Sequence, residues 1–180
     1  MNKIAKLTII LFLVCAIVAG VLGAVNFITA PKIAEQQRLK TERAYAAVLE
    51  SSGYEAVEFD REAFPTVNTI SKAQGGEGYV AETTFSGAQG SITMVVGVDT
   101  DYKCTGISIT KHSETSGLGA NAAASSDVGV NFRSQFVGQG EDIALSKAGG
   151  EIDALSGATI TSRAVTEAVA TVIKAVEALG

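Results

Sequence analysis

Two short stretches carry residue types that could hold a phosphorylated, planar ligand. The first is Asp153-Ala-Leu-Ser156-Gly157-Ala158-Thr159, which runs through Ile160 into Thr161 and Ser162. Small hydroxyl residues and a glycine ahead of a helical run leave backbone N–H groups, and the positive end of the helix dipole, available to an anion. The same residues serve elsewhere as plain N-caps and turn formers, and residue types alone do not separate the two uses. The second stretch is His112-Ser-Glu114-Thr115-Ser116-Gly117-Leu118-Gly119. Two glycines one residue apart, after a predicted strand, let backbone approach a flat ligand closely or adopt positive φ. The stretch is not a Gly-x-Gly-x-x-Gly fingerprint and opens no obvious helix, so by itself it also reads as a surface loop with a solvated histidine.

Other chemistries lack the residues they need. His112 is the one histidine, and Cys15 and Cys104 are the two cysteines, far apart. That gives no disulfide framework, no zinc-ligand spacing and no cysteine set for an iron–sulfur cluster. No catalytic residue and no metal ligand is assigned. The net charge of −5 argues against a nucleic-acid partner, which calls for a basic face.

The elements that must position the two stretches follow from periodicity. Gly78–Phe85, Ser91–Val98 and Lys103–Thr110 are rich in β-branched residues and separated by Gly87-Ala88-Gln89-Gly90 and Asp99–Tyr102. They predict consecutive antiparallel hairpins. Asn131–Val137 is a candidate short helix. Thr161–Leu179 carries Val165, Ala168, Val169, Val172, Ile173 and Val176 on one stripe, which predicts an amphipathic helix. Thr161 or Ser162 is the expected cap of that helix. Residues 51–77 offer no usable motif. The fold class is therefore α+β, an antiparallel sheet flanked by helices.

Ahead of this domain lies an uncharged apolar run, Leu7–Ile28. As a helix it is roughly 33 Å long, enough for a hydrocarbon core of about 30 Å. It is longer than the h-region of a signal peptide and no clean cleavage site follows, so a retained single-pass anchor in membrane lipid is expected. Lys3 and Lys6 face Lys32, Arg38, Lys40 and Arg43 across it, and counting these charges mildly favours the domain on the cytoplasmic side. Pro31 reads as a break or as the first turn of a new helix, with Lys32–Leu49 as a stalk. The expected division is anchor 1–30, stalk 31–50 and domain 51–180.

Asp-x-x-Ser-Gly-Ala-Thr matches the motif at which flavin transferases attach FMN through a phosphoester to the final Thr. Glu-Thr-x-Gly-Leu-Gly resembles the second signature of the same FMN-binding domain, with Ser116 where that family usually has Pro. With one amino-terminal anchor, the chain resembles the G subunit of the Rnf electron-transport complex over the anchor and from about residue 90 to the end. The C subunit of the sodium-pumping NADH:quinone reductase is the near relative. The resemblance implies covalent FMN on Thr159, with Asp153, Ser156, Gly157 and Ala158 serving recognition and tight backbone geometry. Glu114, Thr115, Gly117, Leu118 and Gly119 would face the flavin. It also implies a flavin transferase for maturation, and membrane and iron–sulfur subunits as partners. The domain is implied to lie on the extracytoplasmic side of the cell membrane, against the charge count. The implied role is electron transfer in a complex coupling ferredoxin oxidation and NAD⁺ reduction to ion export. A stand-alone anchored flavoprotein reductase and a non-redox anchored scaffold are the other readings.

Overall fold

The computed structural model describes residues 3–180; the first two residues of the predicted anchor lie outside it. Helix α1 spans Lys3–Val48 with Pro31 inside it. The expected break at Pro31 is thus not present. Ala30 precedes the ring and a run rich in strong helix formers follows it, and one lost backbone bond, costing about 3 kcal/mol, does not end a helix already long established. The apolar part of α1 is long and apolar enough to cross a membrane, with a mean hydropathy of 2.8 and none of that stretch buried. The chain divides into two compact units, one running to Lys40 and the other Thr41–Gly180.

The second unit is built on five antiparallel strands in the order β1 (Tyr54–Val57), β2 (Val67–Ala73), β3 (Gly78–Ser86), β4 (Ser91–Asp99) and β5 (Cys104–His112). The three predicted strands are β3 to β5. The stretch left unread by the sequence supplies β1 and β2. Helix α2 is Asp127–Ser134, earlier than the expected Asn131–Val137, because the chain enters it at Ser126-Asp127. Helix α3 is Thr159–Glu177.

Alternation along the strands gives the sheet two apolar faces. On one, the registered row Ile70, Ala81, Val96, Ile107 crosses four strands. This row packs in one core with Val165, Val169, Val172 and Ile173 of α3, together with Phe132 and Phe136. On the other, Ala44 and Val48 pack with Val80 and Val95. A paired Gly97 and Gly106 make room there: a Cβ on Gly97 would lie 2.7 Å from the Val48 carbonyl oxygen. The end of α1 is satisfied by side chains of the domain. Thr105 donates to the carbonyl of Val48 at 2.5 Å and Tyr54 to that of Leu49 at 2.5 Å, taking up carbonyls that a helix end leaves unpaired.

Candidate functional site

The meander places the β3–β4 turn and the end of β5 at the same end of the sheet, with Ile92 opposite His112. Just beyond β5 the chain turns Glu114 inward, where it is 9% exposed. One carboxylate oxygen accepts from the backbone N–H of Gln89 at 3.1 Å, and the other from the Thr161 hydroxyl at 2.6 Å. Burial alone pushes this carboxyl up. The hydrogen bonds from Thr161 and from the N–H groups of Gln89, Ala88 and Gly90 outweigh it and hold the pKa below its ordinary value. Glu114 therefore ties three segments together: the β3–β4 turn, its own loop and the first turn of α3. Two glycines close around it. A Cβ on Gly87 would lie 2.3 Å from one oxygen, and a Cβ on Gly119 would lie 2.3 Å from the other and 2.6 Å from the Thr161 hydroxyl.

The glycines of the two motifs have different reasons. Gly117 and Gly157 are left-handed, at φ 78° and 72°, which glycine alone adopts without strain. Gly119 is not left-handed; its requirement is close approach. Gly157 also faces the loop, since a Cβ there would sit 3.0 Å from a Leu118 methyl. The two motifs, nearly forty residues apart in the chain, thus touch through Leu118 and Gly157.

Helix α3 begins earlier than expected. Ala158 occupies the cap position with no side-chain cap bond, and Thr159 is the first helical residue. Thr161 and Ser162, the expected caps, lie within the first turn and are buried at 1% and 0% exposure. Both hydroxyls are already engaged, Thr161 in a tertiary bond and Ser162 with the backbone just before it. Thr161 donates to Glu114, while Ser162 accepts from the Leu155 N–H and donates to the Ala158 carbonyl, each at 2.9 Å. Thr159 is half-buried, and its hydroxyl makes no hydrogen bond among the described residues.

A cleft of about 330 Å³ opens over this helix start, lined by Glu114, Thr115, Leu118, Gly119, Gly157, Ala158 and Thr159. Gly117, Asp153 and Ser156 are not on its wall. Asp153 and Ser156 are exposed, and the backbone N–H of Asp153 donates to the Gln135 side chain at 2.7 Å. Sequence reasoning missed four lining residues: Ala88, Gln89, Ile160 and Thr161. The turn residues were recoverable from the meander, which brings that turn to the end of β5. A larger cavity of about 540 Å³ lies by the β4–β5 turn, against Asp101–Lys103 and residues 139–144. It holds none of the motif residues and is not the site.

The smaller cleft suits a phosphorylated flavin on three counts. Thr159 stands on its rim at a helix N-terminus, where N–H groups and the dipole favour a phosphate. Leu118 and Ile160 are 45% and 67% exposed, offering apolar surface to a planar ring. The Glu114 tie fixes both walls.

An FMN-binding domain model matches residues 87–174, the stretch that contains both motifs and the residues lining this cleft. A second model, RnfG N-terminal region, matches residues 1–48. The G subunit of an ion-translocating oxidoreductase complex from Methanosarcina acetivorans is 32% identical, over 98% of this chain and 96% of its own. The G subunit of a proton-translocating ferredoxin:NAD⁺ oxidoreductase complex from Clostridium ljungdahlii is 32% identical over 93% and 89%. The corresponding subunit of a Na⁺-translocating complex from Acetobacterium woodii is 34% identical over 91% and 87%. The chain belongs to the family formed by the G subunits of ion-translocating (Rnf) oxidoreductase complexes. With its apolar α1, membership of this family places the protein at a membrane.

Proposed function

We propose that this chain is the electron-carrying flavoprotein subunit of a membrane ion-translocating ferredoxin:NAD⁺ oxidoreductase, with FMN held through a phosphoester to Thr159. The observation that carries the reading is the one cleft in which Glu114, Thr115, Leu118 and Gly119 meet Gly157-Ala158-Thr159. The names of the full-length relatives support the complex. Bound FMN would supply the electron chemistry, and the chain's residues would bind and orient it. The Thr159 Oγ would hold the phosphate over the first turn of α3. Leu118 and Ile160 would flank the ring. Glu114 would act through Thr161 and the β3–β4 turn to keep both walls in place, so it is a positioning residue. Asp153 and Ser156, exposed and off the cleft, suit recognition by the transferase. A threonine hydroxyl is a poor nucleophile at neutral pH, so attachment calls for that separate enzyme. We take 1–30 as anchor, 31–50 as stalk and 51–180 as the FMN-binding domain, which would lie on the extracytoplasmic side.

A tagged chain isolated from native membranes in mild detergent tests the role. It should be yellow, keep its flavin after denaturation, and bring with it multi-span membrane subunits and an iron–sulfur protein. A colourless preparation would support the scaffold instead, and a yellow one with no other subunits the stand-alone reductase. Sidedness has its own check. A protease added to cells stripped of any outer barrier should cut the domain, and protection until lysis would reverse the topology.

A further inference from the structure

Thr159 borders two clefts. Besides the one facing the Glu114–Gly119 loop, a second of about 200 Å³ lies on its other flank, between α3 and the 143–148 segment. Its wall carries two cations, Lys147 and Arg163, and one acid, Glu167. Neither cation has an ion-pair or hydrogen-bond partner among the described residues. Arg163 is four residues past Thr159 in α3, so it lies on the same helix face one turn on. Helical side chains lean toward the N-terminus, which carries the guanidinium back toward Thr159. Lys147 sits on a short 3₁₀ turn, Ser146–Ala148. Its loop is closed by Ser146 N–H to the Ile152 carbonyl at 2.8 Å, Ile152 N–H to that of Ala144 at 3.1 Å and Gly150 N–H to that of Leu145 at 3.0 Å. Two solvent-exposed cations, on two different elements and without an ion-pair partner among the described residues, thus line the same small cleft as Thr159.

We propose that Arg163 and Lys147 form the counter-charge for a flavin phosphodiester on Thr159, so that the cofactor straddles this residue. The phosphate anion lies toward Arg163 and Lys147, and the ring lies toward Leu118 and Ile160. A phosphodiester carries one negative charge at neutral pH. Arg matches its oxygens through a planar fork, and Lys adds a point charge. The first-turn N–H groups of α3 complete the anion's surroundings. The inference rests on the assignment of the flavin to Thr159.

The test uses the full-length flavin-loaded protein in detergent and phosphorus NMR. The folded protein should show a phosphodiester resonance displaced from its position in the urea-unfolded chain. In the double variant Arg163→Gln/Lys147→Gln that displacement should be lost, while a denaturation-resistant flavin band remains. An unchanged displacement, with the band still dependent on Thr159, overturns the counter-charge and leaves the attachment site standing. A band that survives Thr159→Ala overturns the attachment site, and the inference with it. If the double variant takes up no flavin, the charge-keeping pair Arg163→Lys/Lys147→Arg decides. Loading with the wild-type resonance supports the proposal, and failure to load overturns it.

Discussion

Thr159→Ala should abolish the flavin band seen by in-gel fluorescence under denaturing conditions, while protein of the right size accumulates at the membrane. The effect is all-or-none because the substitution removes the oxygen of the proposed bond. The fold should survive. Thr159 is the first residue of α3 and half-buried, and its hydroxyl makes no hydrogen bond among the described residues. Alanine is also the better helix former, so stability should stay within about 0.5 kcal/mol. The nearby hydroxyls make the natural comparison. Thr161 and Ser162 are fully buried and hydrogen-bonded, out of reach of a modifying enzyme. Thr161→Ala should cost about 1–2 kcal/mol for the lost bond to Glu114 yet keep the band. Ser156 is exposed and is the real competitor. A peptide carrying the mass of an FMN ester on Ser156, or a band that persists in Thr159→Ala, would sink the assignment.

Gly119→Val should both destabilise the domain and empty the site. Its Cβ alone would overlap the Glu114 carboxylate and the Thr161 hydroxyl, at 2.3 and 2.6 Å. No small shift relieves this, because Glu114 is held from two sides. Overpacking costs about 1–3 kcal/mol, and a buried carboxylate driven off its donors costs a similar amount again. The melting temperature should fall by about 10 °C or more, and flavin loading should drop with it. Gly117→Ala is the informative contrast. A Cβ there meets open space, but φ is +78°, so the penalty is conformational and about 1 kcal/mol. A Gly119→Val protein with native melting and full loading would remove the Glu114 tie from the account.

What the sequence made legible here follows from what each segment buries. Strands β3 to β5 were readable because they are rich in β-branched and apolar residues and bounded by turn signals, β4 being buried on both faces, and their limits fall within two residues of expectation. Strand β1 was unreadable because its four residues, two half-buried and two exposed, carry no periodicity. The alternation of β2 is interrupted by an irregularity between Val67 and Thr69. The two flavin motifs were visible, and seven of their ten named residues line one cleft. Their mutual approach, Leu118 against Gly157, was not visible, and neither was the tie that braces it, since that runs from Thr161 to Glu114, a residue whose type would equally suit solvent. The start of α3 was misplaced for a related reason. Thr161 and Ser162 look like caps by type, but the Thr161 hydroxyl is taken up by Glu114, a long-range partner that no local pattern reveals, and that of Ser162 by the backbone of Leu155 and Ala158 just before it. Gly119 was expected to need unusual backbone or to approach a ligand, and what it approaches is Glu114 and Thr161.

The sheet is a meander in which each strand pairs with the one before it, so strand pairing can follow the order of synthesis. By the time residue 112 has been made, all five strands exist. The row Ile70, Ala81, Val96, Ile107 then still has no cover, because α3 comes at the carboxyl end. The residue that opens α3 is also the proposed flavin acceptor. A chain cut short before residue 159 would therefore lack both the lid on its apolar face and the hydroxyl for its cofactor. On this arrangement the flavin marks finished chains: a transferase that needs Thr159 has nothing to modify until the element that closes the core has also been made.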